Sequence, residues 1–379
     1  MFQHLIGGER RMDLDQEQIN EALSSSLPIR LLELLRERDI SDEEIFDALK
    51  NDTLHFLAVD QMLGPPRKRL TIGELSAETR VDAATVRRLW RALGFADVAE
   101  DDRIFSSIDI EAVSSLASLM RSQATDEDVA IQLARVIGSS MARIAAAEIV
   151  ASNSLKGVGL GSNDFTTVDL ADRFAQYSAS ILPTVPELLV YAWIRHFHDA
   201  GRHAMVALDK GARDVSERIL AVGFVDLVGF TILSQQLTTQ ELGAVVSRFE
   251  ELSSDAVTRR DGRVVKMIGD EVMYVVTDPE AAVEIGLELK EEYAKEKLLS
   301  EVRAGVAYGS VLAREGDYFG PVVNLASRIV NIANPGSILV SDGIQQVLVG
   351  KSKHRLVPLR PRYLKDLGSV QLWVVNPNN

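Results

Sequence analysis

Val264-Val265-Lys266-Met267-Ile268-Gly269-Asp270-Glu271-Val272-Met273-Tyr274-Val275-Val276 places two apolar, β-branched runs on either side of a Gly-Asp pair. A two-residue turn opening with glycine between such runs predicts a β-hairpin. Upstream, residues 218–224 form a short apolar strand, and 238–260 an amphipathic helix opened by the capping box Thr238-x-x-Glu241. Downstream come a helix from Pro279 to about 297, a strand over 302–312, a helix over 321–332 and a strand over 338–340 ended by a further helix. Strand, helix, hairpin, helix, strand, helix, strand is the order of a ferredoxin-like α+β sandwich with additions.

The preceding 210 residues read as nearly all helix. Ser41-Asp42-Glu43-Glu44 is a capping box before Ile45, Phe46, Ala48 and Leu49, and similar apolar spacing recurs over 27–35 and 110–120. Residues 129–150 are rich in Ala, Ile and Met with few charges, which predicts a helix buried on several sides. The glycines of 153–163 predict a loop. Gly157-Val158-Gly159-Leu160-Gly161 follows a helix and lacks a Gly-Lys-Ser/Thr ending, so it reads as a connector and not a nucleotide cradle. A second long helical stretch from Pro186 to about 210 is the expected linker.

At 379 residues the chain is long enough for two or three domains. Its net charge of −14 is uneven: residues 1–210 carry 22 Lys+Arg against 33 Asp+Glu, the remainder 19 against 22. Such an acidic surface argues against nucleic acid as a general partner. With no cysteine, disulfides, thiolate metal sites and cysteine nucleophiles are excluded. The N-terminus lacks the apolar core of a secretory peptide, and no run approaches about 18 uninterrupted apolar residues, so no membrane span and a cytoplasmic location are expected.

Three segments carry chemistry. Asp226 ends the first strand in Phe224-Val225-Asp226-Leu227-Val228-Gly229-Phe230-Thr231, and Asp270 sits on the hairpin turn. Carboxylates at such positions are either ordinary turn formers or holders of hard cations, with substrate phosphates completing the shell. Gly229 lets backbone N–H groups approach a polyphosphate near the next helix's N-terminus. The third segment is Gly316-Asp317-Tyr318-Phe319-Gly320-Pro321-Val322-Val323-Asn324-Leu325-Ala326-Ser327-Arg328. Asn324 and Arg328 are four apart on a helix begun at Pro321 and share a face, which suits a ribose and a charged phosphoryl group.

From about residue 218 to 375 the chain resembles the class III nucleotide cyclases. The motifs are Phe-x-Asp-x-x-Gly-Phe-Thr at Phe224, Lys-x-Ile-Gly-Asp at Lys266, Gly-Asp-Tyr-Phe-Gly at Gly316 and Val-Asn-x-Ala-x-Arg ending at Arg328. The resemblance implies that Asp226 and Asp270 bind two divalent ions, Mg²⁺ or Mn²⁺. It further implies that Lys266 and Asp317 read the purine, Asn324 orients the ribose and Arg328 stabilises the transition state, with Gly229, Phe230 and Thr231 at the phosphates. Lys365 matches the family's phosphate lysine, although Asp366 stands where the family usually has glycine. Lysine supplies donors and aspartate acceptors, the complement of adenine N1 and N6, so ATP is the expected substrate and cyclic AMP and pyrophosphate the products. One catalytic domain carrying all six matching positions implies a homodimer with two equivalent sites at its interface.

Residues 70–91, Leu70 through Arg91, look like a helix-turn-helix, and 67–93 holds seven basic and three acidic residues. A helical packing module is the favoured reading. The rival is a nucleotide-sensing regulator whose cyclase-like dimer positions this segment on DNA. His196, His198 and His203 lie close together on the linker; they read either as solvated, inert helix histidines, the favoured reading, or as regulatory groups, since imidazole titrates near neutrality. The N-terminal half resembles the regulatory half of soluble mycobacterial adenylyl cyclases activated at acidic pH. The expected division is a helical regulatory domain over 1–185, a linker helix over 186–213 and a catalytic domain over 214–379.

Overall fold

The computed structural model describes residues 16–38, 40–62, 69–121, 126–152, 165–209, 216–296 and 301–377. The loop expected over 153–163, with its glycine run, lies outside the described residues, as do 210–213 of the expected linker. Contacts divide the chain into two compact units, Met1–Phe197 and His198–Asn379.

The first unit is helical: α1 (Gln16–Ser26), α2 (Ile29–Glu37), α3 (Asp42–Lys50), α4 (Leu54–Met62), α5 (Ile72–Thr79), α6 (Ala83–Ala92), α7 (Ser107–Arg121), α8 (Glu127–Ser152), α9 (Thr167–Ile181) and α10 (Val185–Asp209), the last running across the boundary. Helices α1 to α4 close a core with α9 through Leu23, Leu31, Leu35, Ile45, Leu54 and Phe174. Ser41 caps α3 with the reciprocal Glu44 bond that the sequence predicts. Helices α5 and α6 do form a helix-turn-helix, with Arg80 left-handed at φ 58° where the turn reverses. The arginines of α6 meet carboxylates: Arg87 lies 3.6 Å and Arg91 3.8 Å from Asp97, and Arg88 pairs with Glu127 and Asp128.

The expected burial of α8 on several sides is not found. Ala130, Ile131, Ala134 and Gly138 are buried, whereas Val129, Leu133, Ile137, Met141, Ile149 and Val150 are exposed within the chain. Apolar composition says that a helix has a face to cover; only its neighbours decide what is covered. By length and composition α8 is the one helix among the described residues that could cross a membrane, and it carries Arg135, Arg143 and Glu148.

The second unit contains β1 (Glu217–Leu227), α11 (Phe230–Ser234), α12 (Thr239–Thr258), β2 (Arg263–Ile268), β3 (Glu271–Val276), α13 (Pro279–Tyr293), β4 (Val302–Arg314), β5 (Asp317–Phe319), α14 (Pro321–Ile332), β6 (Ile338–Ser341), α15 (Asp342–Leu348), β7 (His354–Pro358), β8 (Arg362–Leu364), β9 (Gly368–Val370) and β10 (Leu372–Pro377). The main sheet runs β2-β3-β1-β4-β6-β10-β7, with β5 folded back on β4 and β8-β9 apart. Its first four strands have the ferredoxin-like order expected from the sequence, extended by the later strands.

Strand β1 is apolar on both sides because both sides are covered. Ala221, Val225 and Leu227 join a core with α12 and α13, while Leu220, Val222 and Phe224 join a second core with α14. Strand alternation puts Asp226 on the side of Phe224, the face of α14. That helix lies very close to the sheet. A Cβ on Gly305 of β4 would come 2.3 Å from the Val330 nitrogen and 2.7 Å from the Ala326 carbonyl oxygen, so only glycine lets α14 seat there.

Candidate active site

The end of β1 gathers charge from three strands. Asp226 stands opposite Glu271 of β3 and opposite Arg303 of β4, and the hairpin turn brings Asp270 alongside. The Leu227 N–H donates to the Asp270 carbonyl oxygen at 3.0 Å, which fixes the turn against the strand end. Arg303 donates to one Asp226 oxygen from Nε at 2.7 Å and approaches it with Nη2 at 2.6 Å; its Nη1 donates to the Asn331 carbonyl at 3.3 Å. Burial pushes the Asp226 carboxyl up, Arg303 opposes this, and the Asp270 charge adds to it. Burial, followed by the charges of Asp226 and Asp270, pushes Glu271 up to about 7, again against Arg303. Three carboxyl groups around one guanidinium leave the pocket short of positive charge, and its donors are oxygens. That set fits hard divalent cations such as Mg²⁺ or Mn²⁺.

Gly229 adopts φ 74° and is the N-cap of α11. A Cβ there would meet nothing within 4 Å, so the reason for glycine is its left-handed backbone and not clearance. Phe230 and Thr231 open α11, where N–H groups lack helical partners.

A second cluster forms where β2 meets the β4–β5 hairpin. Lys266 Nζ bonds Asp317 Oδ2, and the other Asp317 oxygen accepts the Tyr318 N–H at 2.8 Å. Arg263 braces this corner by donating to the Gly316 carbonyl at 3.0 Å while lying over the Tyr318 ring at 5.0 Å. Asn324 and Arg328 are exposed one turn apart on α14, as their spacing predicts. Arg328 lies 3.9 Å from Asp366 on the β8–β9 turn, beside the exposed Lys365. Asp366 has φ 67°, the left-handed conformation that glycine favours and that aspartate tolerates better than most residues.

The structure therefore groups Asp226 with Asp270, and Lys266 with Asp317. It adds Glu271 and Arg303, which the sequence reading did not select. Arg303 had a signal: it is a charge at the second position of a strand that is otherwise apolar up to Tyr308.

Two family models match in tandem, "Adenylate cyclase regulatory domain" over residues 17–198 and "Adenylate and Guanylate cyclase catalytic domain" over 215–377. An adenylate cyclase of Streptomyces coelicolor is 35% identical over 295 residues, 77% of this chain and 75% of its own. An adenylate cyclase of Glutamicibacter nicotianae is 30% identical over 315 residues, 79% of this chain and 76% of its own. The chain belongs to the adenylate cyclases. A third relative, the pH-sensitive adenylate cyclase MT1302 of Mycobacterium tuberculosis, is 29% identical over 327 residues, 84% of this adenylate cyclase and 79% of its own chain. The helical unit of this cyclase thus coincides with a regulatory domain, and the sheet unit with the catalytic domain.

Proposed function

We propose that this cyclase converts ATP to 3′,5′-cyclic AMP and pyrophosphate by attack of the ribose 3′-hydroxyl on the α-phosphorus, with Asp226 and Asp270 holding two divalent ions. Those ions, Mg²⁺ or Mn²⁺, would supply acidity at the hydroxyl and charge at the phosphates. Arg303 keeps Asp226 oriented along the strand end. Asn324 would orient the ribose, and Arg328 would meet the charge that grows on the α-phosphoryl group. The N–H groups of Gly229, Phe230 and Thr231, with Lys365, are assigned to the phosphates.

One observation carries the choice of ATP. Strands β2 and β5 deliver Lys266 and Asp317 into contact from positions 51 residues apart, holding a donor beside an acceptor in the pattern that complements adenine. The test is product formation from ATP and from GTP by the purified chain with Mn²⁺. Cyclic AMP is expected; cyclic GMP formed at a comparable rate would overturn the base assignment.

The carboxylate cluster is tied together through Arg303 and the purine pair through the Lys266–Asp317 bond, and no hydrogen bond or ion pair joins the two sets among the described residues. This supports a homodimer in which each site takes one set from each protomer. Regulation by pH is supported by the similarity to a pH-sensitive relative. Its candidate groups are His196, His198 and His203 on exposed stretches of α10, His203 lying 3.6 Å from Asp199. The carboxylates around the α6 arginines favour packing over DNA binding for the helix-turn-helix. A cytoplasmic location goes with this reading.

A further inference from the structure

Val276 of β3 pairs with Ala221, whereas Glu271 pairs with Asp226, so the segment after β3 leaves from the opposite end of the central strands to the acidic cluster. There α13 begins. Glu280 and Glu284, one turn apart on it, meet His354 at the start of the edge strand β7, each residue bringing a ligand atom within 4.8 Å of the other two.

The surroundings hold these groups in place. Glu280 Oε1 accepts from Ser352 Oγ at 3.1 Å and from the Lys353 N–H at 2.9 Å, and the His354 N–H donates to Ser352 Oγ at 3.0 Å. Glu280 Oε2 is shielded from solvent and has no hydrogen-bond partner among the described residues. A shielded carboxylate oxygen without a donor is costly unless a cation meets it. Glu284 Oε1 accepts from Lys353 Nζ and its Oε2 from Arg260 Nε at 3.4 Å. Lys353 Nζ reaches Glu284 at 3.1 Å from a side chain that is 77% exposed, so it can swing into water at little cost. Arg260 is also paired with Glu288.

We propose that Glu280, Glu284 and His354 form a second cation site, separate from the catalytic one, that takes a Zn²⁺-type ion and ties the edge strand β7 to the N-terminal turn of α13. Two carboxylates and an imidazole are three of the four ligands that Zn²⁺ takes, with water as the fourth; Mg²⁺ has little preference for imidazole. Two of the ligands are on one helix and the third is 70 residues downstream, so a bound ion would cross-link the fold and slow fraying of the edge.

The experiment uses the full-length chain with His196, His198 and His203 replaced by glutamine, so that α10 contributes no imidazole. After chelator treatment, bound Zn²⁺ per chain and the melting temperature with and without Zn²⁺ are compared among this background, His354→Gln and Glu280→Gln. The background should hold one more equivalent than either variant and show a larger Zn²⁺-induced rise in melting temperature. Equal stoichiometry and equal rises would overturn the proposal. Should a variant fail to fold, Co²⁺ added to the background protein decides. Four-coordinate visible bands that survive Asp226→Ala support the site, and their absence sinks it.

Discussion

A carboxyl that loses its proton at about 7, beside two others, makes Glu271 the residue through which acidity most directly reaches the cluster. In the unfolded chain the same group ionises near its ordinary 4.5. Between those values the folded protein binds more protons, so the Glu271 contribution favours folding at the acid end and fades as pH rises through the window. Chelator-treated enzyme should therefore melt several degrees lower at about pH 7.5 than at about pH 5, and Glu271→Gln should flatten that slope. An equal slope in the variant would show that the charge lies elsewhere. Asp226 and Asp270 were legible in the sequence because a strand end and a Gly-Asp turn announce themselves. Glu271 was not, because its importance comes from cross-strand register, which no single segment displays; Arg303 left one local trace, a charge in an apolar strand, but its partner Asp226 lies 77 residues away.

Helix α14, which carries Asn324 and Arg328, seats on the sheet only because β4 has no side chain at Gly305. Gly305→Ala should push the helix outward, lowering stability by about 1–3 kcal/mol and cutting cyclic AMP formation well beyond the unfolded fraction. A denaturant melt and a turnover assay on one sample separate the two effects. The elements themselves read well from sequence. The 264–276 hairpin, the Thr238 capping box and the Pro321 start all reappear, because turn, cap and breaker chemistry act locally. Helix α8 read poorly for the opposite reason: its burial depends on partners distant in sequence. Asp366 is an intermediate case, a residue that departs from the family's glycine yet keeps glycine's backbone conformation.

At the scale of the assembly, the proposed homodimer, with each site shared between protomers, would make two dead enzymes complementary. Asp226→Ala and Arg328→Ala should each lower turnover by roughly 10²-fold or more. Mixed in equal amounts and allowed to exchange subunits, they should recover about a quarter of wild-type activity, since half the dimers are mixed and each of these rebuilds one of its two sites. No recovery despite demonstrated exchange would place both sets of residues in one chain.

Helix α10 adds something practical. Trp193 is 63% exposed on it and stacks with Phe197 at 5.6 Å, whereas Trp90 packs against Phe105 and Trp373 lies in the sheet. With the other two tryptophans replaced by phenylalanine, emission colour would report how wet this one helix is. A titration over protein concentration, nucleotide or acidity would then show, without any attached dye, when α10 leaves water.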